Sequence, residues 1–109
     1  MVKRKGITIT NHAYKRLKQR CGFNKNMALK VSNRAFNLGL RHCDIVGNLG
    51  KWVDGVYLAH RNANNLRVYK NHVYLFQGNN LITVMEIPQG LFGELKELEE
   101  KLGKNKVVK

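Results

Sequence analysis

Acidic residues are scarce in this sequence: seven Asp and Glu stand against twenty Lys and Arg over 109 residues, a formal charge of +13. No apolar run approaches the roughly 20 residues that span a bilayer, and Gly6 to Thr10 is too short and too polar for the apolar core of a signal peptide. A soluble protein that stays in the cytoplasm is therefore expected. Two cysteines, Cys21 and Cys43, are too few for a disulfide framework and form no C-x-x-C pair, so both read as reduced thiols. The four histidines lack metal-ligand spacing, and the adjacent His42 and Cys43 have no further ligands at a familiar distance. Neither a metal nor another cofactor is expected. The single proline, Pro88, sits where it would end a strand.

What is present fits one folded domain. A chain of 109 residues cannot divide into two self-supporting cores, and 43% hydrophobic with 25% charged residues is a globular balance. There is no repeat and no low-complexity tract. Residues 1–5 read as a basic arm and 104–109 as a basic tail. The positive excess is segregated: residues 1–85 hold fifteen Lys and Arg against two acids, whereas residues 86–109 hold five of each sign. A surplus of this kind points to a polyanion, nucleic acid first and an acidic protein surface second.

The local pattern predicts an α+β fold, with two N-terminal helices and a C-terminal helix around a three- to four-stranded antiparallel meander sheet. A short strand at Ile7–Thr10 leads into a helix reaching about Cys21, capped by Thr10 or Asn11 and stopped at Gly22. A second helix spans about Asn26 to Leu38 with Met27, Val31, Ala35 and Leu38 as its core stripe. Leu29, Phe36 and Leu40 fall on its other side, a second buried face or a protein interface. Arg41 to Lys51 reads as a loop. Short β-branched and aromatic runs follow at Trp52-Val53, Val56–His60, Leu66–Lys70, His72–Gln77 and Leu81–Ile87. Leu91, Leu95, Leu98 and Leu102 then mark an amphipathic helix closed by Gly103.

Two groups of residues carry possible chemistry. A two-residue turn at Lys70-Asn71 would oppose Tyr69 to His72 and Arg67 to Tyr74, placing these four with Phe76 on one face. Leu66, Val68, Val73 and Leu75 would then form the core face. The polar-aromatic face is either plain solvent surface or a working surface, since arginine grips phosphate and tyrosine stacks on bases. The second group is His12, Arg16 and Arg20, stepping by four along one helix edge. A histidine there could move protons while the arginines stabilise a pentacovalent phosphate.

The string Ile7-Thr-Ile-Thr-Asn-His12-Ala13-x-x-Arg16-x-x-x-Arg20, with Leu66-Arg-Val-Tyr-Lys and Leu81-Ile-Thr-Val downstream, resembles small bacterial and phage proteins that begin T-x-H-A-x-x-R-x-x-x-R. These are similar to the barnase–EndoU–colicin–RelE group of ribonuclease folds. The resemblance implies helices packed on an antiparallel sheet and metal-independent RNA cleavage. It implies His12, Arg16, Arg20, Arg67 and Tyr69 as catalytic residues. Lys15, Lys18, Lys70, His72 and Tyr74 complete the expected nucleic-acid contacts. The alternative is a non-enzymatic, phage-type protein that docks on nucleic acid, preferably RNA, or on a host defence complex. A host or antitoxin-like protein is the other expected partner.

Overall fold

A computed structural model describes residues 7–102. The expected basic arm, the tail and the helix stop at Gly103 lie outside the described residues. The fold is α+β, and its elements follow in the order β1 (Thr8–Ile9), α1 (Asn11–Cys21), α2 (Lys25–Leu38), β2 (Leu40–Arg41), α3 (Gly47–Ala59), β3 (Asn65–Tyr69), β4 (His72–Gln77), β5 (Asn80–Glu86) and α4 (Phe92–Leu102). Single 3-10 turns precede α3 at His42–Asp44 and α4 at Gln89–Leu91. The five strands lie in the order β1-β5-β4-β3-β2. The expected meander is present as β3-β4-β5, but the sheet is larger and mixed. β2 adds an antiparallel edge beside β3, and β1 lies parallel to β5 at the other edge. Among the described residues no helix is long and apolar enough to cross a membrane.

The hairpin forms in the expected register. Lys70 and Asn71 both take positive φ, 49° and 69°, as a tight two-residue turn with matching twist requires. Tyr69 therefore opposes His72, and Arg67 opposes Tyr74. The expectation that this face is open does not hold. Tyr74 and Phe76 are 1% and 0% exposed, because α1 and α2 lie over them with Ala13, Leu17, Ala28 and Ala35. The other face carries Leu66, Val68, Val73 and Leu75 beneath Leu49 and Val53 of α3 and Leu95 of α4. The sheet is thus buried on both sides, in a helix–sheet–helix stack with two apolar layers.

Local chemistry explains the first two helices. Thr10, rather than Asn11, caps α1: its side-chain oxygen accepts from the Ala13 N–H at 3.1 Å. Gly22 ends α1 in the left-handed region, φ 71°, and its N–H donates to the Lys18 carbonyl. Asn24 caps α2 by accepting from the Met27 N–H at 2.9 Å. The core stripe of α2 is rotated from the one expected. Ala28, Ser32 and Ala35 are buried, whereas Met27 and Leu38 are 45% and 54% exposed. Small residues face the sheet because α2 approaches it closely, with the Phe36 and Phe76 rings edge to face at 4.9 Å. Gly39 follows for the same reason. A β-carbon there would lie 2.6 Å from the Ala35 carbonyl oxygen and 2.9 Å from that of Val68.

The largest departure is α3, which begins inside the expected loop, at Gly47, and replaces the two strand runs after it. Leu49, Trp52, Val53, Val56 and Tyr57 follow helical spacing, and all five pack into the same apolar layer. Glycines at 47, 50 and 55 hide that stripe. Val46 cannot cap the helix with its side chain, and Glu94 of α4 does so instead, its Oε1 accepting from the Leu49 N–H at 3.2 Å. Leu40 is buried in the α3–α4 layer and Phe36 is half-buried in the other. The supposed interface of Leu29, Phe36 and Leu40 is therefore dispersed.

Candidate nucleic-acid interface

The stack sorts charge as well as apolar surface. On one side of the sheet, α1 carries Lys15, Arg16, Lys18 and Arg20, and α2 carries Lys25, Lys30 and Arg34, with no acid on either helix. On the other side, α3 and α4 together carry three lysines and five acids. The segregation along the chain thus becomes a segregation across the sheet. Lys15, Lys18, Lys25, Lys30 and Arg34 are exposed. Arg20 is partly engaged, its Nη1 3.6 Å from Glu86 Oε1.

At the start of α1 this basic layer meets a cleft of about 550 Å³. His12 and Arg16 line it from α1, while His60, Arg61 and Asn62 line it from the end of α3 and the turn beyond. Ile82, Thr83 and Met85 of β5 form its floor, and no carboxylate is among its lining residues. His60 Nδ1 lies 2.9 Å from the Val56 carbonyl oxygen. A carbonyl can only accept, so Nδ1 carries the hydrogen and Nε2 is the basic nitrogen of the neutral ring. Two imidazoles and two guanidiniums around one opening can bind a phosphate and exchange protons with it.

The other expected site residues lie elsewhere. Arg67 is not with His12 and Arg16: it sits two strands away and fastens α2 to β3. Its Nε donates to the Phe36 carbonyl, and Nη1 to Asn65 Oδ1 and the Leu66 carbonyl, each at 3.0 Å. Burial, and then Arg41 directly opposite in the β2–β3 register, lower its pKa. Tyr69 is half-buried against the α1–α2 layer, with the Lys70 ammonium 5.8 Å from its ring centre. Tyr74 cannot stack on a base from beneath two helices. Burial and the nearby Cys21 and Tyr69 push its phenol well above the usual range. His72 donates from Nδ1 to the Lys70 carbonyl at 3.0 Å and holds Nε2 3.8 Å from Cys21 Sγ. Burial, with help from Glu86, raises the Cys21 thiol, and Arg20 works against it.

No protein-family model, curated protein or solved structure matches this chain. The functional reading therefore rests on the site's own geometry. That geometry contains residues without a signal in the sequence. His60 ends a run that reads as strand and Arg61 follows it, and nothing in their spacing pairs them with His12, 48 and 49 positions earlier in the chain. A second pair has no such signal either: His42 Nε2 and Asp54 Oδ1 are 2.6 Å apart, with the Tyr57 ring packed edge to face on His42. Among the described residues no three His, Cys, Asp or Glu side chains gather where they could hold a metal ion.

Proposed function

We propose that the protein binds nucleic acid, RNA in preference, by laying its backbone across the α1–α2 layer. One phosphate would be held in the cleft at the start of α1. The observation that carries this reading is the absence of any acid on two helices that together hold seven Lys and Arg. An extended polyanion meets five exposed cations there without an opposing charge on the same helices. The likeness of the Thr10–Arg20 stretch to small ribonuclease-fold proteins favours RNA over DNA. Fluorescence anisotropy with a labelled single-stranded RNA tests the proposal. Affinity should fall steeply with salt. Replacing Lys15, Lys18 and Lys30 together by Gln should lower the slope of log K against log salt by about 2, at roughly 0.7 per phosphate contact. Affinity indifferent to salt would sink the proposal.

One observation favours a second reading, metal-independent RNA cleavage: His12 and His60 line one cleft with Arg16 and Arg61. In such a reaction the 2′-oxygen attacks the adjacent phosphorus while one imidazole takes its proton. The other protonates the departing 5′-oxygen, and the arginines stabilise the charge on the pentacovalent phosphate. The product is a 2′,3′-cyclic phosphate. Incubation with labelled RNA in EDTA should give it with wild-type protein and not with His12→Ala or His60→Ala. If both variants cut as well as wild type, the two histidines are not the catalysts, and if wild type leaves RNA intact, cleavage is refuted. The binding reading then stands alone, as for a protein that blocks its target by occupancy.

A further inference from the structure

β2 breaks off early and leaves a pocket beside its end. It has two residues, Leu40 opposite Val68 and Arg41 opposite Arg67. The chain then leaves the sheet in the 3-10 turn at His42–Asp44. Among the described residues, Asn65 and Leu66 of β3 therefore pair only with β4. The pocket in that gap measures about 370 Å³, and Arg41, His42, Tyr57, Asn64, Asn65 and Arg67 stand around it. That volume suits a small ligand. The pocket shares no lining residue with the cleft of His12 and Arg16.

The amides and guanidiniums around this pocket have donors to spare and no spare acceptor. Asn64 Oδ1 accepts from the Gly78 N–H at 2.9 Å, and Asn65 Oδ1 accepts from Arg67 Nη1 at 3.0 Å. A backbone N–H and a guanidinium can only donate, so both amides are fixed in orientation and each keeps its NH2 group. Arg67 uses Nε and Nη1 on the Phe36 carbonyl, Asn65 and the Leu66 carbonyl. Its Nη2 has no acceptor among the described residues. The same three bonds hold the guanidinium in place, so a ligand there costs it little further freedom. Arg41 stands directly opposite, and like charges in opposed positions destabilise a strand pair. Two carboxylates stand close by, and neither lines the pocket. Asp44 lies 3.6 Å from Arg41 Nε and accepts from the Arg41 N–H, and Asp54 is paired with His42. Two guanidiniums thus share one carboxylate, which lies outside the space between them. We propose that this pocket binds a phosphate group, held by Arg41, Arg67 and the NH2 groups of Asn64 and Asn65. Phosphate oxygens accept from all four, and the anion relieves the opposition of the two arginines. Occupancy of this pocket does not depend on RNA lying across α1 and α2.

The test uses the full chain and NMR signals of the side-chain amides and the arginine Nε–H groups. Three probes are titrated separately: inorganic phosphate, uridine 5′-monophosphate, and a single-stranded RNA octamer without a terminal phosphate. Sodium chloride at matched ionic strength is the control. At least one probe should shift the NH2 signals of Asn64 and Asn65 and the Arg67 Nε–H saturably, and chloride should not. The probe that binds most tightly identifies the source of the phosphate as the free ion, a nucleotide or a strand. Asn65→Asp is the decisive variant, because the new carboxylate still accepts from Arg67 but turns an acceptor toward the pocket. It should keep its thermal midpoint and lose about tenfold or more in affinity at this site. Arg41→Gln, at an exposed side chain, should weaken binding to a similar degree and decides the matter alone if Asn65→Asp does not fold. Arg16→Gln combined with Arg61→Gln, in the other cleft, should leave these shifts unchanged. Shifts that chloride reproduces, no shift with any probe, or full affinity in a folded Asn65→Asp or in Arg41→Gln would each overturn the site. RNA that binds across α1 and α2 without shifting Asn64 and Asn65 would leave the other reading intact and count against this one.

Discussion

Single residues show how closely the helices sit on the sheet. At Gly39 the neighbouring carbonyl oxygens leave no room for a methyl group. Gly39→Ala should therefore lower stability by about 1–3 kcal/mol, read as a drop in the thermal midpoint. Tyr74 gives the fold a pH dependence. Its phenol titrates higher in the folded chain than its ordinary value near 10. The folded state thus holds the proton more tightly than the unfolded chain. The stabilisation is complete below pH about 10 and declines as pH rises past it toward the folded value. Cys21 acts in the same direction from a lower starting point, about 8.5 in an unfolded chain. Unfolding midpoints measured from pH 8 upward should fall, and Tyr74→Phe should flatten the part of that fall above pH 10. The same shift leaves less Cys21 thiolate at a given pH. Alkylation at pH 8 should therefore reach the exposed Cys43 first.

The elements differ in how far the sequence revealed them. Local signals are self-sufficient in α1, where Thr10 and Gly22 bracket the helix, and in the β3–β4 hairpin, where Lys70-Asn71 sets the register. α3 is the opposite case. Three glycines lower its intrinsic helicity, and its N-terminal amide is capped by a residue 45 positions later in the chain. It is a helix because Leu49 and Val53 are buried under α4 and the sheet, which no window of sequence around them contains. Glu94→Ala removes that cap and should cost about 1 kcal/mol, seen as a lower urea midpoint with an unchanged slope. The candidate cleft was half legible for the same reason. His12 and Arg16 stood out on a recognisable helix, while His60 and Arg61 come to them only through the placement of α3.

Across the whole molecule, the sheet acts as a partition between an acid-free layer and a nearly balanced one. The gathered cations on α1 and α2 repel one another in the folded state, and the unfolded chain relieves that repulsion by expansion. Added salt screens it. The thermal midpoint should therefore rise with sodium chloride through the first few hundred millimolar, measured by circular dichroism. A flat or falling midpoint would mean that the layer carries no net electrostatic strain. The surplus charge was legible in the sequence as a number and a position along the chain. Its division between two faces was not, since that depends on which helices share a side of the sheet.

The pairing of β1 with β5 ties the beginning of the described chain to a strand that starts 72 positions later. At roughly 5–20 residues per second, a ribosome takes several seconds to make the intervening chain. Throughout that interval Thr8 and Ile9 have no strand to join, and α1 has no sheet to cover. β1 and α1 are made before the strand they pack on, and are among the last of the described elements that can settle. The acid-free helices therefore emerge before the surface that orders them, beside the ribosomal RNA that made them.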